Sequence, residues 1–144
     1  MTTTPRRFEA HFPPDLGSAR AARRFVLSVM GRDHGTEDEV ELMVSELASN
    51  VILHACTPFT IRVDHDEVNH VLRVECHDGA RTLPVLKGYA PRAVTGRGLQ
   101  IIDHLADRWG VEVDHEGKTV WFEVGLGGCS GSPPDDPVHN GDRA

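Results

Sequence analysis

The stretch that decides the fold runs from Glu39 to Ala55 and reads EVELMVSELASNVILHA. Its apolar residues recur at helical spacing and predict one buried stripe, formed by Val40, Met43, Val44, Leu47 and Val51. Thr36 and Glu39 precede this stripe at the spacing of a capping box, in which each side chain satisfies a backbone N–H group of the first turn. We therefore expect an amphipathic helix that starts at Thr36 and packs against the core.

Three polar residues follow one another along the same helix. Glu46, Asn50 and His54 are spaced at i, i+4 and i+8, which stacks them at the margin of the apolar stripe. Such groups are costly to bury without partners. One interpretation is a half-exposed, solvated face. The other is a carboxylate that activates a nucleophile beside an amide oxygen that holds a hard cation such as Mg²⁺. The helix alone leaves both interpretations open.

Composition narrows the class of protein. The chain has 144 residues and a formal net charge of -7, which argues against a nucleic-acid-binding surface as the main function. No apolar run approaches the roughly 20 residues that a membrane-spanning helix needs. The N-terminal residues lack the apolar segment of a secretory signal, so we expect a cytoplasmic protein without a membrane partner.

The cysteines predict neither a disulfide framework nor a paired metal motif. Cys56, Cys76 and Cys129 are an odd number at wide spacing. A zinc site would require the fold to bring His54 and Cys56 together with Cys76 and His77. A zinc-bearing structural domain is therefore a minor alternative.

The rest of the chain supplies strands and two further helices. Alternating or β-branched segments predict strands at 6–12, 59–64, 71–75, 109–113 and 118–124, and helical spacing predicts helices at 18–30 and from Gly96 onward. Hairpins combined with helices that share one face predict an α+β fold, a two-layer α/β sandwich with a mixed, mostly antiparallel sheet and about three helices on one face. Residues 1–126 form the expected domain, and 127–144 have the composition of a disordered tail.

Polar signatures stand in a fixed order along this framework. They are Glu46 and Asn50 on the central helix, Asp78-Gly79 after a strand, and the segment TGRGL, residues 95–99, at a helix start. A helix start flanked by glycines presents free N–H groups to phosphates, and Arg97 adds positive charge. An aspartate at a strand end can accept a hydrogen bond from the exocyclic amine of a purine. Each signal is weak alone, and the ordered set is far more specific.

The same segments resemble a known superfamily over about residues 8–126. VSELASNVILHA, VECHDG, TGRGLQIIDHLADRWG and GKTVWFEV are similar to the conserved boxes of the GHKL (Bergerat-fold) ATPases, which include gyrase, Hsp90, histidine kinases and MutL. Within that superfamily the chain looks like the small bacterial anti-sigma-factor serine/threonine kinases, the RsbW-like regulators. The resemblance implies the Bergerat sandwich, with ATP and Mg²⁺ as cofactors.

The resemblance also implies residue roles. Glu46 would be the general base, Asn50 the Mg²⁺ ligand and Asp78 the residue that reads the adenine amino group, while residues 81–95 would form the ATP lid. The implied nucleotide-binding set is Asn50, His54, Asp78, Ala80, Thr95, Gly96, Arg97, Gly98 and Leu99, with the residues from Gly96 to Leu99 lining the phosphates.

The function implied is a regulatory kinase that binds a sigma factor and phosphorylates its anti-anti-sigma antagonist, a STAS-type protein; homodimer formation stays open. One departure keeps an alternative in view. The usual D-x-G-x-G appears here as Asp78 to Thr82, with Ala80 and Thr82 where glycines are common. The alternative is a GHKL-fold binding module with weak or no catalysis that acts by protein–protein contact.

Overall fold

The computed structural model describes residues 5–80 and 94–127, and of residues 94–98 it describes the backbone alone. The elements in chain order are β1 (Arg6–Phe12), α1 (Gly17–Met30), α2 (Glu37–Asn50), a π-helical turn (Val51–Ala55), β2 (Phe59–Asp66), β3 (Val71–Asp78), α3 (Val94–Leu105), β4 (Arg108–Asp114) and β5 (Gly117–Gly125). All five strands and three helices expected from the sequence are present.

The strands form one sheet in the order β1-β2-β3-β5-β4. Each neighbouring pair among the described residues is antiparallel. The turn between β2 and β3 is closed by the Asp66 carboxylate, which accepts hydrogen bonds from the backbone N–H groups of Val68 and Asn69 at 3.1 and 3.0 Å. The expected α+β sandwich with a mostly antiparallel sheet is confirmed.

The two faces of the sheet differ in chemistry because side chains alternate along each strand. The face toward the helices is apolar and buried, with Phe59, Ile61, Val63, Leu72, Val74, Cys76, Val120, Phe122 and Val124. On the opposite face, Arg73 pairs with Glu75 at 2.8 Å and with Glu123 at 2.9 Å, and its guanidinium lies 4.0 Å from the centre of the Trp121 ring. The helices therefore cover one face, and a network of half-exposed ion pairs occupies the other.

The apolar stripe of the central helix is confirmed. Its five predicted residues lie in the core, each no more than 3% exposed. They share that core with Val26 and Met30 of α1 and with Ile102 of α3. The α2 stripe is thus buried between two helices and the sheet. The edge of this stripe carries Glu46 and Asn50 and lies at the boundary between the helix layer and the sheet.

The predicted capping box is wrong. Thr36 is the N-cap residue, but its side chain makes no capping hydrogen bond, and its Oγ1 is buried without a partner among the described residues. The carboxylate of Glu37 acts instead, accepting from the backbone N–H groups of His34 at 2.9 Å and Gly35 at 3.0 Å. A glutamate that reaches back into the preceding loop therefore holds the start of the helix. These hydrogen bonds lower the pKa of Glu37 below its ordinary value.

The expectation of one continuous α-helix to Ala55 is also wrong. The α-helix ends at Asn50, and a π-helical turn follows from Val51 to Ala55. Cys56 closes that turn with a backbone hydrogen bond of 2.7 Å to the Val51 carbonyl and adopts a left-handed conformation, with φ of 56°. The wider turn changes the direction of every side chain after Asn50.

The remaining expectations concern the start of α3, the ATP lid and the C-terminal tail. Helix α3 begins at Val94, two residues before the predicted start at Gly96. Residues 81–93, most of the expected lid, and 128–144, nearly all of the expected tail, lie outside the described residues. In the part of the chain that is described, no helix is long and apolar enough to cross a membrane.

Candidate functional site

The C-terminal half of α2 carries the first two predicted site residues. Glu46 and Asn50 lie one helical turn apart, and both are half-buried. His54 lies in the π-helical turn and is exposed, so it does not continue their row. A π-helical turn inside or after an α-helix is frequent at functional sites. Glu46 and Asn50 thus stand at the edge of the core directly before a local irregularity of the backbone.

Asp78, the predicted base-reading residue, is the last residue of β3 and points toward the helix layer. It is only 2% exposed. The register of the sheet places it opposite Lys118 of β5, whose Nζ donates to Oδ1 and Oδ2 at 3.1 and 2.9 Å. Oδ1 also accepts from the backbone N–H of Ala80 at 2.8 Å. The Asp78 carboxylate is therefore held in one orientation by a buried cation.

Lys118 is a candidate site residue that the sequence reasoning missed. Its side chain is 10% exposed, unusually low for a lysine. The signal was present in the alternation of β5, because Lys118 is in phase with the inward-facing residues Val120, Phe122 and Val124. A lysine at an inward position of a strand indicates a buried cation that must have a partner.

Thr57 connects the end of the central helix to the Asp78 corner. Its Oγ1 accepts a hydrogen bond of 2.9 Å from the backbone N–H of Gly79. Since Thr57 directly follows the Cys56 cap of the π-helical turn, this bond ties the turn to the end of β3. Two motifs that are separated along the chain are thus joined by one contact.

Two positions near Asp78, Ala80 and Gly117, differ in whether their backbone conformation requires a glycine. Ala80, where glycine is common in the resembled pattern, is not among the described residues with positive φ, so alanine fits the backbone there. Gly117, at the start of β5, has φ of 142°. A Cβ added to Gly117 would overlap the Asp78 carbonyl oxygen and lie 2.9 Å from the Gly79 Cα. Close backbone approach makes Gly117 the residue that needs to be glycine.

The start of α3 determines which of the predicted phosphate-lining residues expose N–H groups. The N–H groups of the N-cap and of the first three residues of a helix lack intrahelical acceptors, and in α3 those of the described residues 94–96 include Thr95 and Gly96. The N–H groups of Arg97, Gly98 and Leu99 lie within the helix. The side chain of Leu99 is 2% exposed and packs in the core. The described backbone therefore offers donors at residues 94–96.

The cysteine and histidine pairs do not converge. Cys76 faces the core, and burial raises the pKa of its thiol. His77 lies on the opposite face of the sheet, with Nδ1 3.0 Å from Thr119 Oγ1. Because neighbours on a strand point to opposite faces, these two residues cannot bind the same ion. Within residues 5–80 and 94–127, no three His, Cys, Asp or Glu side chains gather as a metal site.

Helices over one face of an antiparallel sheet, with polar residues where α2 and β3 end, define a two-layer α+β domain with its polar site between the layers. A family model described as the histidine kinase-like ATPase domain matches residues 12–124. The chain belongs to this family. The predicted membership of the GHKL superfamily is confirmed, and an ATPase domain of this kind implies ATP binding. No curated protein matches the sequence.

Solved structures show the same fold. One is the structure of the RsbU and RsbW domains of a Mycobacterium tuberculosis protein, with 15% identity and a TM-score of 0.62 over 84% of this chain and 32% of that one. Another is the histidine kinase domain of a blue-light-activated histidine kinase from Erythrobacter litoralis, with 18% identity and a TM-score of 0.52 over 79% of this chain and 61% of that one. This chain thus spans about a third and about three-fifths of those two chains.

Proposed function

We propose that this protein binds ATP with Mg²⁺ and acts as a regulatory serine/threonine kinase of the anti-sigma-factor type. Membership of an ATPase-domain family supports the nucleotide, and the likeness to a structure with an RsbW domain supports a protein partner. The observation that carries the proposal is the hydrogen bond from Gly79 to Thr57, which joins the Asp78 corner to the end of the helix that carries Glu46 and Asn50.

Asn50 is the proposed ligand of Mg²⁺. It is the last residue of α2 and half-buried, so its amide oxygen can be held in position without being closed off from solvent. A neutral oxygen donor suits a small hard cation that keeps several waters and shares its coordination with phosphates. When bound, Mg²⁺ neutralises charge on the phosphate oxygens during phosphoryl transfer.

Glu46 is the proposed general base. It lies one turn before Asn50, so its carboxylate belongs to the same face of α2. In this role it accepts the proton of a serine or threonine hydroxyl of the partner protein as that oxygen attacks the γ-phosphorus, the bond to the β,γ-bridging oxygen breaks and ADP leaves. The backbone N–H groups of residues 94–96 and the positive end of the α3 dipole orient the phosphates. Asp78 positions the adenine ring of the nucleotide.

The proposed partners are a sigma factor and its STAS-type antagonist, with a cytoplasmic location. A second function, a binding module that works by protein contact without catalysis, is favoured by one observation. A shallow, largely apolar groove lies between α2 and α3, lined by Leu42, Gln100, Ile101, His104 and Leu105. Leu42 is 44% exposed and lies open to solvent at this groove.

Calorimetric titration of ATP, with and without Mg²⁺, tests the nucleotide site. We expect Asn50→Ala to fold like the parent and to lose Mg²⁺-dependent affinity by about tenfold or more, the loss of one polar ligand contact. The neighbouring half-buried residue Ser49 supplies the control, and Ser49→Ala should bind as the parent does. Unchanged affinity in Asn50→Ala would contradict the metal-ligand role.

Transfer of phosphate from ATP to a STAS-type protein of the same genome tests the kinase. Glu46→Gln should lower turnover by about 10²–10⁴-fold while partner binding persists, because it removes a general base and keeps the shape of the side chain. Glu41→Gln, on the same helix, is the matched control; Glu41 interacts with Arg23 on α1 at 3.6 Å. Partner binding without any transfer in the parent would favour the binding module.

A further inference from the structure

The ion pair between Asp78 and Lys118 differs from the other ion pairs of the sheet. Those of the polar face are partly open to solvent, whereas the side chains of Asp78 and Lys118 are 2% and 10% exposed and face the helix layer. Replacing a buried ion pair by apolar residues of similar size is often neutral or stabilising. Stability alone is therefore a poor reason for a lysine at an inward position of β5.

The hydrogen-bonding capacity of the pair is not exhausted. Asp78 Oδ1 accepts from Ala80 N–H and from Lys118, but among the described residues Oδ2 accepts from Lys118 alone. A carboxylate oxygen has two lone pairs and an ammonium has three donors, so Oδ2 keeps an acceptor site and Nζ keeps a donor. Ala80 N–H is already engaged and offers no donor at this corner. The pair thus presents an acceptor beside a charged donor.

We propose that Lys118 is a base-recognition residue that works together with Asp78. Oδ2 accepts from the exocyclic 6-amino group of adenine, and Nζ donates to the adjacent ring nitrogen N1. The amino group and N1 lie side by side on one edge of adenine, the complement of the acceptor and donor that the pair offers. Lys118 also holds the buried Asp78 carboxylate in one orientation. This inference rests on the proposed binding of ATP.

Titrations of the unmodified protein with three nucleotides in the presence of Mg²⁺ test the inference. In 1-deaza-ATP a C–H group replaces N1, and in 7-deaza-ATP a C–H group replaces N7 on the other side of the base. We expect 1-deaza-ATP to bind about 10–100-fold more weakly than ATP, the loss of one hydrogen bond to a charged donor. The control nucleotide, 7-deaza-ATP, should bind as ATP does.

The variant Lys118→Met removes the donor and keeps the aliphatic stem. It should bind ATP about as weakly as the parent binds 1-deaza-ATP and should no longer distinguish the two nucleotides. Because this change leaves a buried carboxylate without its cation, the apolar double variant Asp78→Leu/Lys118→Met, which has no donor for N1, provides a second background in which the same loss of discrimination is expected.

The outcomes separate this inference from the function on which it rests. Equal binding of ATP and 1-deaza-ATP by the parent would overturn the role of Lys118 and leave the nucleotide site standing. Persistent discrimination against 1-deaza-ATP in Lys118→Met or in the double variant would overturn it as well. A parent that binds none of the three nucleotides would refute both proposals.

Discussion

Gly117→Ala is expected to damage the Asp78 corner from the opposite strand. Gly117 is buried and has φ of 142°, a region that residues with a Cβ rarely adopt. The new methyl group would overlap the Asp78 carbonyl oxygen and lie 2.9 Å from both the Asp78 carbonyl carbon and the Gly79 Cα. All these atoms belong to the backbone, so no side-chain rotation relieves the overlap.

Two contributions set the loss in the free energy of unfolding that we expect for Gly117→Ala. Holding alanine in this conformation costs about 1–3 kcal/mol. Inserting a methyl group into a closely packed position costs about 1–3 kcal/mol more. The free energy of unfolding should therefore fall by about 2–6 kcal/mol, a large fraction of the roughly 5–15 kcal/mol that stabilises a typical domain. Relief by backbone movement would separate Asp78 from Lys118, so the affinity for ATP should fall in the same variant.

Urea denaturation followed by circular dichroism measures this loss, with the slope checked for two-state behaviour. Gly17→Ala is the matched control, since an added Cβ at Gly17, the first residue of α1, meets no atom within 4 Å. We expect the control to lie within about 1 kcal/mol of the parent. A loss below about 1 kcal/mol in Gly117→Ala, with an unchanged slope, would refute the argument from close approach.

Two further predictions concern the contacts at the two ends of the central helix, those of Glu37 before it and of Thr57 after it. Thr57→Val should lower the free energy of unfolding by about 1 kcal/mol and weaken ATP binding, because Gly79 N–H loses its acceptor. Urea denaturation measures the stability and calorimetry the ATP affinity. Thr57→Ser keeps the hydroxyl, so a loss of the same size in Thr57→Ser would contradict this role of the hydroxyl. The backbone hydrogen bonds to Glu37 hold its pKa below the ordinary 4.5, so they stabilise the fold above that pH, and this contribution is lost as the pH falls through the lowered pKa. Melting temperatures from about pH 6 to 3 should therefore fall less steeply in Glu37→Gln, and equal slopes would contradict this assignment.

The core was predictable because its pattern is local. The 3.6-residue period of Val40, Met43 and Leu47 and the alternation of Ile61 with Val63 each depend on a single element, and every one of these residues is buried. The bounds of α1 and of the strands followed from the same periods to within three residues. Family membership followed from ordered motifs that cover most of the chain.

The errors arose where several local solutions compete. Glu37 and Glu39 can both serve the start of α2, and the loop before the helix places two N–H groups within reach of Glu37. The π-helical turn after Asn50 has no clear periodic signature, since VILHA is equally compatible with an α-helix. Its closure by the left-handed Cys56 and the bond from Gly79 to Thr57 depends on how the helix end meets β3.

By itself, then, the sequence determined the class of fold, the buried stripe and the family, because apolar periodicity and ordered motifs are properties of neighbouring residues. Only the tertiary structure decided that Lys118 pairs with Asp78. The two residues are 40 positions apart, and the antiparallel register of β3 and β5 sets them opposite each other. A buried carboxylate requires a partner, and which residue supplies it depends on the register between strands that are distant in sequence.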